Sequence, residues 1–220
     1  MKAKYLIPAV IVFFLTKNAT SQTSFYSNMK NDKNMAKFES SAPLETIIGV
    51  TNKITSTITI NPADITKNPA AKVTVDLTTL NTGIKKRDED MRSKEYLNTA
   101  KYPNAEFVLT EFTEVDSKEL KDKTKITGTA VGKLTIHGVT KEISAPVAIY
   151  YFEENPDMKG VLKGNLLSVH SAFNIKLSDY DIKIPSILFY KLEDNIKISV
   201  AFTASDIPEL AKKITSESRK

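Results

Sequence analysis

The densest run of reactive side chains is Lys85-Lys86-Arg87-Asp88-Glu89-Asp90-Met91-Arg92. Three adjacent acids invite a cation, but the flanking lysines and arginines already neutralise them. The run also lacks the alternating oxygen ligands and central glycine of a calcium loop, so no metal is expected there. Arg87 and Arg92 lie five residues apart, Asp88 can pair with either, and a guanidinium fork suits two-point contact with a carboxylate or a phosphate. Two readings stand. The run is a solvated charged face, or an Arg–Asp pair pins this segment to the rest of the fold or faces the polar head of a ligand.

Nucleophilic chemistry finds little support. No Gly-x-Ser-x-Gly elbow occurs, and the absence of cysteine excludes disulfides, thiolate catalysis and cysteine-based zinc sites. Of the two histidines, His170 lies between Val169 and Ser171 in a strand-like run, where a hydrogen-bonded barrel residue is the plain reading and a general base the sharper one. His137 precedes Gly138 and reads as part of a turn. Neither a catalytic residue nor a cofactor is expected from this inventory.

The elements that must hold these residues are strands. Ile54, Ser56, Ile58 and Ile60 alternate with Lys53, Thr55, Thr57 and Thr59, and Ala71, Val73, Val75 and Leu77 alternate with Lys72, Thr74, Asp76 and Thr78. A period of two with one apolar face is the mark of a half-buried strand. The same pattern recurs in Ala105, Phe107 and Leu109, over 124–136, 143–152 and 160–175, and in Ile196, Ile198, Val200 and Phe202. Turn chemistry at Asn61-Pro62, Asn68-Pro69, His137-Gly138 and Asn155-Pro156 separates them. Seven or eight such strands predict an all-β antiparallel fold, and closure into a barrel is preferred because it removes exposed edges.

Residues 79–107 break the pattern with charged residues, Gly83, and Met91, Tyr96 and Leu97 at roughly helical spacing. A short helical segment is expected near 85–100, ending before Tyr102 because Pro103 disfavours helix there. It is expected to lie across one barrel end.

The ends of the chain read differently. Lys2 and Lys4 precede an apolar run and the small residues Ala19-Thr20-Ser21, so residues 1–21 are expected to be a signal peptide, the run being too short to span a bilayer. Residues 22–37 are expected to form a polar arm, 38–205 the barrel, and 206–220 a short C-terminal helix and tail, capped by Ser205 or Asp206. Removing residues 1–21 takes away three lysines and no acid, so the formal charge falls from +5 to +2. Without basic stripes, nucleic acid is not an expected partner.

Two longer stretches are more specific. Thr79-Leu80-Asn81-Thr82-Gly83 is followed by Arg87-Asp88, Arg92 and Lys101-Tyr102-Pro103-Asn104-Ala105-Glu106-Phe107. Later comes Gly132-Lys133-Leu134-Thr135-Ile136-His137-Gly138-Val139-Thr140-Lys141. With these the chain, from about Phe38 to Ser205, resembles the YceI-like family of exported bacterial proteins. Residues 35–52 carry no clear copy of the family's opening motifs. Ile175 to Ile182 stands where the family tends to have Arg-Ser-Asp-Phe-Gly, with Leu177 at the Arg position and Asp181 at the Gly position.

The resemblance implies a lipocalin-like barrel of about eight strands, a polyisoprenoid or similar amphiphilic lipid as partner, a periplasmic or secreted location and no established reaction. The expected cavity-lining residues are Ile54, Ile58, Val73, Val75, Phe107, Leu109, Ile198 and Val200, with His170 placed among them. Arg87, Asp88, Arg92, Tyr102 and Pro103 are the expected anchors of the closing segment. Two other readings remain open from sequence: an enzyme acting on a small molecule inside the barrel with His170 or an acid as base, and a solid-core stress or interaction protein without ligand.

Overall fold

The computed structural model describes residues 21–28, 33–156 and 163–208. The expected signal peptide, except Ser21, and nearly all of the expected C-terminal helix lie outside these residues. Among the described residues there are ten strands: β1 (Thr23–Ser27), β2 (Met35–Ser41), β3 (Thr46–Thr51), β4 (Ile54–Ile60), β5 (Ala70–Asp76), β6 (Asn104–Thr113), β7 (Thr124–Ile136), β8 (Val139–Phe152), β9 (Leu166–Lys176) and β10 (Asn195–Ser205). A helix, α1 (Lys85–Arg92), follows β5.

The ten strands make a closed antiparallel barrel of eight staves. β10 pairs with β9 along its whole length, and its other edge is shared by β2, at Lys197 to Ala201, and by β1, at Ser205. β1 in turn pairs with β4, and β2 with β3. Thus β1 and β2 are successive parts of one broken stave, β3 and β4 of the next, and β5 to β10 supply the remainder. Closure pairs most strand edges, but among the described residues β8 meets β9 only from Val147 to Phe152, and the outer edge of β3 is met only by the Val50–Asn81 bridge.

This corrects the reading of residues 22–37 as a polar arm, because Phe25 is 1% exposed inside the barrel and β1 completes the closure. Asn34 patches the break in the first stave: its side-chain amide donates to Ser27 Oγ at 2.9 Å, and its carbonyl oxygen accepts from the Thr203 N–H at 3.2 Å. A polar side chain is needed there, since broken pairing would otherwise strand buried backbone groups.

A bulge between Leu109 and Glu111 shifts the β6–β7 register by one residue. Leu109 and Phe112, three apart, therefore both face inward, which a regular period of two forbids. Gly132 sits opposite, where a Cβ would lie 2.4 Å from the Val108 carbonyl oxygen, so only glycine permits this approach.

Apolar packing is concentrated near the two ends. One cluster gathers Phe25, Ile60, Phe112, Ile126, Leu167 and Phe202 with Ile65 and Leu120 from the β4–β5 and β6–β7 loops. Those loops are tied together by the Ile65 N–H to Lys118 and the Leu120 N–H to Pro62, so this end is filled. The other cluster gathers Leu134, Ile136, Ile175, Tyr180, Ile182 and Ile196 beneath the segment that carries α1.

Candidate ligand cavity

Between the two clusters the barrel is hollow. The cavity has a volume of about 640 Å³, within the range of small-molecule sites, and its wall is overwhelmingly apolar. The void has a simple cause. An eight-stave barrel has an interior that large side chains fill, but here Ala36, Ala71, Ala105, Ala130 and Ala145 occupy inward positions among the branched residues of the wall.

Ile58, Val73, Val75, Phe107, Leu109, Ile198 and Val200 all stand in this wall. Ile54 and His170 do not. Ile54 is fully buried among the apolar side chains of the cluster that also holds Phe25 and Ile58, and it does not reach the cavity surface. His170 is exposed on the outer face of β9, donating to or accepting from Ser168 Oγ at 3.0 Å and packing edge-on against Tyr150 at 5.6 Å. Its neighbour Ser171 is the residue that faces the cavity, as alternation requires. A general base inside the barrel is therefore not available from His170. Sequence reasoning missed Phe38, Ile143, Ala145 and Phe173 as wall residues, although the alternation of Ile143, Ala145, Val147 and Ile149 carried the signal.

Apart from Lys37 and Ser171, the cavity's polar residues gather at one end, the end of α1. Glu45, Thr82, Lys86, Arg87, Asp90 and Lys191 rim it, with Ile84, Met91, Tyr96 and Leu97 adding apolar surface from the same connection. The hydrogen bond and charge of Asp90 hold the Lys86 ammonium above its ordinary pKa. Tyr96 is also raised, first by burial and then by Asp90 and Glu95.

The connection is fastened at Leu80–Thr82. Asn81 exchanges backbone hydrogen bonds with Val50 of β3 at 2.9 and 3.0 Å. Asp88, 4% exposed, accepts the Thr82 N–H at 2.8 Å and the Thr82 hydroxyl at 2.6 Å. Arg87 Nε donates to Thr82 Oγ1 at 3.0 Å, and its Nη1 reaches Glu45 Oε1, in the β2–β3 turn, at 2.5 Å. Arg92 Nη1 donates to the Leu80 carbonyl at 2.7 Å. The expected Arg–Asp pair is thus replaced: Arg87 takes Glu45, while Asp88 serves Thr82 and the otherwise uncapped N-terminus of α1. A partner 42 residues away was beyond local spacing.

Tyr102 and Pro103 hold the far side of the connection. The Tyr102 ring packs edge-on to His137 at 5.0 Å, and Pro103 accepts the Leu77 N–H at 2.8 Å. His137 and Gly138 both have positive φ, +53° and +79°, the geometry of a tight two-residue hairpin turn between β7 and β8. His137 Nδ1 lies 3.1 Å from the Tyr180 carbonyl, so the turn, Tyr102 and Tyr180 support one another. Asp181, at the position where the family tends to have Gly, has φ +57°, the left-handed conformation that explains a glycine preference and that aspartate tolerates.

Arg87→Ala removes the link to Glu45 and two bonds to Thr82, to its hydroxyl and its carbonyl. Amide exchange over 82–103 is expected to accelerate while the strand amides of β7 to β9 keep their protection; unchanged exchange in 82–103 contradicts the anchoring role.

A closed antiparallel barrel with an apolar cavity and a polar rim at one end defines a lipocalin-like protein. The YceI-like domain model matches residues 19–204, and the chain belongs to that family. A curated relative, Protein YceI of Escherichia coli O157:H7, is 35% identical over 120 residues, which are 53% of this chain and 56% of that one, so the chain spans about half the length of the curated relatives it matches. Among solved structures, BcnA of Burkholderia cenocepacia superimposes with a TM-score of 0.61 at 19% identity, covering 79% of this chain and 97% of that chain. A polyisoprenoid binding domain from Saccharophagus degradans, implicated in plant cell wall breakdown, gives 0.60 at 16% identity, covering 84% and 99%. These structural likenesses bear on the fold. Among the described residues no helix is long and apolar enough to cross a membrane.

Proposed function

We propose that the protein is an exported binding barrel that holds the apolar chain of a polyisoprenoid or similar amphiphile, for storage, transport or stress-linked lipid handling, without catalysing a reaction on it. The observation that carries this reading is the 640 Å³ apolar cavity with most of its polar groups, all but Lys37 and Ser171, gathered at one end. That distribution matches a molecule with a long hydrocarbon chain and one polar head. The name of the Saccharophagus degradans domain and the family membership support it.

The energetics are adequate. Burying ten methylene groups contributes about 8 kcal/mol, at about 0.8 kcal/mol each, before the cost of association. Micromolar affinity corresponds to about 8 kcal/mol net, so the association cost of about 4 kcal/mol or more must be met by further buried methylene groups of a longer chain and by the head, with Lys86 and Arg87 the candidate partners at the rim. The wall residues Ile58, Val73, Val75, Phe107, Leu109, Ile198 and Val200 take the chain. The basic, apolar N-terminus supports periplasmic or secreted placement.

Titrating delipidated protein with a long-chain polyprenol tests the reading. Saturable binding at micromolar concentration or tighter is expected. An absence of saturable binding, with the barrel folded by circular dichroism, overturns it.

A further inference from the structure

The 3-10 turn Ser186–Leu188 lies in the connection from β9 to β10, and the stretch 183–191 reads Lys-Ile-Pro-Ser-Ile-Leu-Phe-Tyr-Lys. Packing does not explain it. Ile187 is 85% exposed, Phe189 67% and Tyr190 58%, and the Phe189 and Tyr190 rings stack edge to face at 5.3 Å in solvent. The Leu44 N–H donates to the Tyr190 carbonyl at 2.9 Å, which brings Leu44, 74% exposed, into the same patch.

This patch borders the cavity. Leu188 and Lys191 of the loop stand in the cavity wall, as does Ile84, 52% exposed, on the other side of the rim. Apolar surface therefore runs from solvent, over the rim, into the barrel.

Charge selects the occupant. The stretch carries Lys183 and Lys191 and no acid, and among the described residues neither lysine has an ion-pair partner. The nearby carboxylates are mostly engaged: Glu45 with Arg87, Asp90 with Lys86, and Asp194 with the Ser178 N–H and hydroxyl. Glu193 is half-buried, and Asp181 is the exposed acid closest in sequence. Large apolar and aromatic tips bracketed by unpaired lysines suit a lipid interface, where rings settle at headgroup depth and lysines meet anionic headgroups.

We infer that the 183–191 loop, with Leu44, is a membrane-docking surface that seats the mouth of the cavity on an anionic lipid bilayer. The inference rests on the proposed lipid-binding function and adds how the cavity meets its source: the apolar chain passes from bilayer to barrel across a continuous apolar rim, without crossing water.

The test is flotation of the full chain with vesicles of phosphatidylethanolamine and phosphatidylglycerol, and with vesicles of phosphatidylcholine alone. Wild type is expected to float with the anionic vesicles and less with the neutral ones, and raised salt should weaken its binding. Ile187→Ser combined with Phe189→Ser should weaken flotation at least tenfold, and Lys183→Gln should reduce the preference for anionic vesicles. Neither Ile187 nor Phe189 stands in the cavity wall, so the double variant should keep wild-type affinity for polyprenol in solution.

Polyprenol binding by wild type without flotation overturns docking alone, whereas flotation without polyprenol binding retains docking and removes the cavity reading. Equal flotation of wild type and double variant overturns the assignment of the loop. Sedimentation as a dimer that the double variant abolishes, with no flotation, overturns it in favour of a second copy.

Discussion

Ala145→Phe is expected to lower the affinity for a long-chain polyprenol about fiftyfold while leaving the melting temperature unchanged or higher. Ala145 is 4% exposed and stands in the wall of the cavity. The added ring takes the place of about three ligand methylene groups, worth about 0.8 kcal/mol each, and the resulting loss of about 2.4 kcal/mol is about fiftyfold in affinity. Its effect on stability separates two descriptions of the interior. In a hollow barrel the ring fills a void and gains contacts, whereas in a solid core the same substitution overpacks and costs about 1–3 kcal/mol. Ala71→Phe, on β5, should act in the same direction. A large drop in melting temperature with affinity retained would place the ligand elsewhere.

The second large effect concerns closure. Asp88→Ala strips Thr82 of the one carboxylate oxygen that accepts both its N–H and its hydroxyl, and removes the carboxylate from the first turn of α1. Hydrogen bonds to charged groups contribute about 1.5–3 kcal/mol each, so closure is expected to weaken by about 2–3 kcal/mol after water replaces part of the loss. Asp88→Asn keeps an oxygen that can accept both Thr82 bonds and loses only the charge, so it should lose about half as much. Amide exchange over 82–103 and thermal melting measure both variants. Equal behaviour of wild type and Asp88→Ala would make the carboxylate incidental.

Strands with one buried face were readable because burial imposes the period of two, as in Ile54–Ile60 and Ala71–Leu77. The irregular connection at 79–107 was readable for the opposite reason, since it interrupts that period, and the His137-Gly138 turn announced itself by its glycine. β1 was not readable. Its inward positions are Phe25 and Ser27, so this five-residue part of a stave looks like a polar arm, and its role follows only from pairing with β4 and β10.

The site shows a similar division. Alternation fixes the face of a residue and not what packs over it, so Ile54 shares the inward face with Ile58 yet is covered by its neighbours and absent from the cavity wall. His170 is a different case: Val169 and Ser171 face inward, and the parity of the strand already turned His170 out. The Arg87–Glu45 contact joins α1 to the β2–β3 turn, and only the closed barrel brings them together. Small residues at Ala71, Ala105, Ala130 and Ala145 were visible, but the hollow they leave depends on how the staves close.

The most direct test of the central claim is mass spectrometry of an organic extract from protein purified without detergent from its own host. A single class of long-chain amphiphile, polyisoprenoid in its mass pattern and absent from an Ala145→Phe, Ala71→Phe double variant, is the predicted result. An extract free of lipid from wild type, whose cavity also takes up no added polyprenol, would contradict the account.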